Sequence, residues 1–165
     1  MAGAQFPPLE GDMLKLAWYL IDVEFLTEPV PDLDGPDAEA ATALLAAAEA
    51  VLGDEGLFDP VRTTVAVRLS LISAMRLHDA ATHAAGIHSR ADLVHLVHGL
   101  TLLHAYLTQT VQKLADHTRS IAWAGSPTAG VDRQTADALS TAGEGGEFVT
   151  SDLKRAYLAL AHTDR

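Results

Sequence analysis

Between Leu77 and Tyr106 the chain reads LHDAATHAAGIHSRADLVHLVHGLTLLHAY and carries six of its eight histidines: His78, His83, His88, His95, His98 and His104. Histidine is the commonest metal ligand and the one side chain whose unperturbed charge changes between pH 5 and 8. Six together could hold a metal ion or form a proton switch, and spacing decides which of them could act jointly. His88, Asp92 and His95 stand at i, i+4 and i+7, which puts two imidazoles and a carboxylate on one side of a helix. That set suits zinc or another first-row transition metal. A hairpin folded at residues 85–87 would raise His78 to the level of His95 or His98, a cross-helix alternative. The tight HExxH or paired ExxH spacing of strong metal sites is absent. At 100° per residue the histidines do not share a face: with His95 at zero, His98 falls about 60° to one side and His104 about 180° away. Exposed imidazoles on a solvated helix face, with one or two hydrogen-bonded at the core edge, are the preferred expectation, and metal binding is the alternative.

A second polar set lies inside otherwise apolar stretches. Glu24 sits on an arc made by Met13, Leu16, Ala17, Leu20 and Ile21, while Arg68 and Arg76 alternate with Val61, Val65 and Ile72. A buried carboxylate without a partner is costly, so Glu24 is expected to pair with Arg68 or Arg76. Together these residues would form an internal ion pair or an anion pocket. Catalytic signatures are missing: there is no Gly-rich phosphate loop, no GxSxG elbow and no carboxylate pair at a telling spacing. The expectation leans away from an enzyme, and no catalytic residue is nominated.

The stretch AAGIHSRADLVHLV resembles the helix-turn-helix of tetracycline-repressor-type regulators. Ala85, Gly86, Ile87, Ser89 and Leu93 echo that family's Ala-Gly-Val-Ser-x-x-x-Leu-Tyr pattern over about a dozen residues. The resemblance implies a DNA-binding regulator acting through the turn at 85–93. His88 is an extra residue inside the turn and changes the angle at which the second helix leaves. The reading helix offers Arg90 but also Asp92, and the several Lys or Arg residues that contact phosphates are missing around it.

Composition narrows the partners. The formal net charge is −11 with histidines neutral, and protonating all eight would still leave the chain negative. Such a surface repels nucleic acid and anionic headgroups. The absence of cysteine removes disulfides, thiol nucleophiles and cysteine-based metal sites. No apolar run approaches the ~20 residues needed to span a bilayer, and the first residues lack the pattern of a secretory signal. A cytoplasmic protein with no membrane contact is expected.

The elements that must position these residues are all helical. Hydrophobic residues make up 48% of the chain and aromatics 5%, with Ala and Leu, strong helix formers, supplying most of the apolar content. Helices are expected over about 12–27, from Asp34-Gly-Pro36 to Gly53, from Pro60 to about Ala85, and from Ser89 to about Ala124. A last one begins near Ser151. The second has a core stripe of Ala41, Leu44, Leu45, Ala48 and Leu52, and the third is apolar on two sides and reads as central. In the fourth, Leu93, Leu96, Leu100, Leu103, Leu107, Val111, Leu114 and Ile121 hold one apolar stripe. At ~50 Å that helix is long enough for Gly99 to bend it or for its far end to pack on something else. Residues 1–11 read as a tail and 125–147, rich in Gly, Ser, Thr and Ala, as a mobile loop with at most a weak helix through VDRQTADALS. The fold expected is all-α, an antiparallel bundle of four or five helices in a single domain. Trp18, Tyr19 and Trp123, near helix edges, are the interface candidates. The function expected is non-catalytic: a helical protein working through protein–protein contact, as a homodimer or with another protein partner.

Overall fold

In a computed structural model of the chain, the structure describes residue 25 and residues 36–52, 60–83, 89–121 and 127–162. The protein is all-α: these residues form four helices, α1 (Pro36–Leu52), α2 (Pro60–Thr82), α3 (Arg90–Ile121) and α4 (Ala129–Ala161). Phe25 is also helical; the rest of the helix expected over 12–27 and the tail at 1–11 lie outside the described residues. No described helix is long and apolar enough to cross a membrane. The backbone groups into two compact units, Glu28–Leu93 and Met1–Thr27 with Val94–Arg165.

In the first unit α1 and α2 touch. Both open on a proline, whose fixed φ suits the first helical position and whose missing N–H costs nothing there. Asp37 and Glu39 place negative charge at the positive end of the α1 dipole. In α2 the hydroxyls turn inward on their own helix: Thr64 donates to the Pro60 carbonyl at 2.7 Å, Ser70 to Ala66 at 2.9 Å and Thr82 to His78 at 2.8 Å. Neither helix buries a residue fully. The expected stripe of α1 is therefore corrected, since Ala41 and Ala48 are half-covered while Leu44, Leu45 and Leu52 are exposed. The expectation of a central α2 is corrected as well: Val61, Val67, Leu71 and Ile72 are exposed. Two helices in contact share a single line, and one line cannot cover a helix that is apolar on two sides.

In the second unit α3 and α4 run antiparallel. Along α3 the contacts rise through His98, His104, Thr108 and Gln112 while their α4 partners fall through Tyr157, Thr150, Gly146 and Gly143. The start of α3 is a reciprocal capping box: Ser89 N donates to Asp92 Oδ2 at 2.8 Å and Asp92 N to Ser89 Oγ at 3.1 Å. α4 starts where the Thr128 hydroxyl donates to Asp132 Oδ2 at 2.9 Å, and ends with the His162 N–H on the Leu158 carbonyl.

Two expectations fall here. The loop assigned to 125–147 is helix from Ala129 onward, and the last helix starts 22 positions before Ser151. Its buried residues, Ala129, Ala136, Gly143 and Thr150, recur every seventh position. They form a seam of small side chains that brings α4 close to α3, and this packing overrides the weak helix propensity of glycine. The face of α3 that meets it is Thr101, Ala105, Thr108 and Ala115, not the leucine stripe. Of that stripe, Leu103, Leu107, Leu114 and Ile121 are exposed. Small residues win the seam because they allow closer approach of two backbones.

Candidate functional site: an imidazole and aromatic stack beside a polar seam

The stack is set by spacing on α3. His95 and His98 stand three residues apart, so their side chains are neighbours on the helix surface, and Gly99 beside them leaves room for a ring. Phe25 fills it: a Cβ at position 99 would stand 2.7 Å from Phe25 Cζ. The Phe25 ring stacks on His95 at 4.6 Å between centroids and meets the edge of His98 at 5.3 Å. His98 in turn stacks on Tyr157 of α4 at 4.4 Å with the planes 13° apart. Offset and edge contacts of this kind are the favoured aromatic geometries. These imidazoles present ring faces to aromatic carbon, which is packing geometry.

Nearly two turns further along, the seam turns polar. His104 Nδ1 lies 3.3 Å from Thr150 Oγ1 and 3.4 Å from Thr108 Oγ1. A hydroxyl beside an imidazole is half of a nucleophile–base pair. Here Thr150 is fully buried, and its hydroxyl donates to the Gly146 carbonyl at 2.9 Å. With the Thr150 hydroxyl bonded to Gly146, the roles of donor and acceptor between His104 Nδ1 and the two threonine hydroxyls follow the imidazole tautomer. Gln112 Nε2 donates to Glu147 Oε1 across the helices at 2.5 Å. Gln109 is buried with its Nε2 unpartnered. The node pins the two helices in register, because one-residue sliding would break both cross-helix bonds at once.

The candidates named from sequence distribute as follows. Of the metal set, His88 lies outside the described residues, the Asp92 carboxylate is engaged by the Ser89 N–H, and His95 lies against Phe25. His78 is exposed on α2, and His98 is in the stack. Among the described residues no three His, Cys, Asp or Glu side chains gather as a metal site. Of the ion-pair set, Glu24 lies outside the described residues. Arg68 and Arg76 are exposed, and Arg76 pairs with Asp79 of its own helix at 3.7 Å. Trp18, Tyr19 and Trp123 lie outside the described residues, as does the turn at 84–88. Tyr157, Thr150, Thr108 and Phe25 escaped the sequence reading as site residues. The seven-residue recurrence from Ala129 to Tyr157 was the signal that could have found the α4 members.

No protein-family profile matches the chain, no curated protein matches it as a relative, and no solved structure matches its fold.

Proposed function

We propose that this protein is a non-catalytic, self-associating helical protein of regulatory or accessory type that works through protein–protein contact in the cytoplasm. The observation that carries this reading is the run of uncovered apolar side chains on α3, where Leu103, Leu107, Leu114 and Ile121 are each between 41% and 57% exposed. Large contiguous apolar surface in water marks interaction sites. A second copy also carries −11 charges, so two copies can meet only where acidic surfaces are not brought face to face. Between Leu96 and Ile121, α3 carries only Lys113, Asp116 and Arg119 as ionised groups besides its histidines, so two copies can meet along it without opposing acidic surfaces. The test is the mass of the full chain in solution by sedimentation equilibrium over a range of concentrations. A reversible dimer or larger oligomer is expected, and a monomer at every concentration up to about 1 mM would refute the reading.

A further inference from the structure

The geometry points to α3 as the place where two copies meet, through a leucine seam on the side of the helix turned away from α4. This rests on the self-association proposed above and specifies its contact. Leu100, Leu107, Leu114 and Ile121 recur every seventh residue, and Leu96, Leu103, Thr110 and His117 interleave with them at alternating spacings of four and three. That is the a/d repeat of a coiled-coil seam, sustained over almost four heptads. The same helix carries a second heptad seam, Thr101, Ala105, Thr108, Gln112 and Ala115, about 140° around the helix, and α4 covers only that one. The leucine seam is half-buried at Leu96 and Leu100 and then opens progressively. Exposure is 41% at Leu103, 47% at Leu107, 50% at Leu114 and 57% at Ile121.

Charge decides what covers it. Between Leu96 and Ile121 the only ionised groups at neutral pH besides the histidines are Lys113, Asp116 and Arg119. Asp116 pairs with Arg119 on its own helix at 3.0 Å. The positions flanking the seam, Val97, His104, Val111 and Thr118 on one side and Gly99, Tyr106, Lys113 and Ser120 on the other, carry no carboxylate. In a chain of net charge −11 this is a surface on which a second copy meets little repulsion, whereas a basic partner would be drawn to the acidic exterior instead. Thr110, the polar residue mid-seam, donates its hydroxyl to the Tyr106 carbonyl at 2.8 Å. It can therefore enter a dry contact without losing a hydrogen bond. Two α3–α4 hairpins joined along α3 make a four-helix arrangement in which each copy covers the other's leucines.

The test compares the full chain with Leu107→Lys and Leu114→Lys on the seam and with Leu71→Lys on α2, by sedimentation equilibrium. Each seam variant is expected to raise the dimer dissociation constant by at least about a hundredfold, because a lysine at a coiled-coil core position meets its counterpart in a dry interface. Leu71→Lys is expected to leave association unchanged. Helix content by circular dichroism should stay at the wild-type level, since the replaced leucines are about half exposed in the single chain. A wild-type chain that associates while both seam variants associate equally well overturns this inference and leaves the self-association reading standing; a monomeric wild type overturns that reading first. Cysteine trapping serves if a lysine variant fails to fold, because the chain has no cysteine of its own. Leu107→Cys and Leu114→Cys chains, alone or mixed, should oxidise to covalent dimers at low concentration. Failure of every combination to cross-link, with an oligomeric wild type, overturns the seam.

Discussion

At the scale of single residues, the glycines of GEGGEF separate packing from propensity. A Cβ at Gly146 would stand 3.0 Å from Thr108 Cγ2 and closer still to its hydroxyl oxygen, and one at Gly143 would stand 2.6 Å from Gln112 Cγ. Around Gly145 there is nothing within 4 Å. Alanine at 145 should therefore stabilise the protein by up to ~1 kcal/mol through helix propensity alone. At 146 the same change should destabilise by ~1–3 kcal/mol through overpacking. Urea unfolding of the two variants side by side checks this, and equal signs would show that Gly146 is not closely packed against Thr108. The imidazole stack makes a second prediction. Tyr157→Leu keeps an apolar side chain but removes the ring on His98, and should cost ~1 kcal/mol. His95 and His98 were visible in the sequence as candidates for chemistry, but their ring partners were not, because Phe25 and Tyr157 come from distant parts of the chain.

At the scale of the element, local signals were legible and tertiary ones were not. The start of α3 could be read from Ser89 and Asp92, and both capping bonds form. Ser89→Ala should cost ~0.5–2 kcal/mol, measured as a shift of the denaturant midpoint, with Ser89→Asn close to wild type. The prolines at 36 and 60 marked the starts of α1 and α2 equally well. α4 was the failure. Its first 19 residues hold four glycines, at 130, 143, 145 and 146, and single-residue propensity counts each against a helix. Propensity has no term for what a missing side chain allows, and at Gly143 and Gly146 it allows the neighbouring helix to approach. Thr150 shows the same logic in a polar residue. With its hydroxyl bonded to Gly146 and its oxygen beside His104, Thr150→Val should cost ~1 kcal/mol although it fills the same space.

At the scale of the whole molecule, the unevenness of burial is the governing fact. All the fully buried described residues belong to α3 and α4, and none to α1 or α2. Local opening is cheapest where few side chains are covered. Amide exchange in dilute protein should therefore be slow over about 101–115 and 136–150 and fast across α1 and α2. Concentrated protein should slow exchange where copies meet, over α3 from Leu103 to Ile121 in the arrangement inferred above.

The amino-acid sequence by itself determined the all-helical class, three of the four described helices and the alternation of apolar positions along α3. These are local properties: propensity, caps and periodicity act within a few residues of the chain. Hydrophobicity alone pointed to the leucine stripe as the face of α3 that packs, and not to the Thr and Ala seam. Only the tertiary structure decided that α4 takes the Thr and Ala seam and leaves the leucines uncovered. The choice depends on how closely two backbones can approach, and that is a property of a pair of helices.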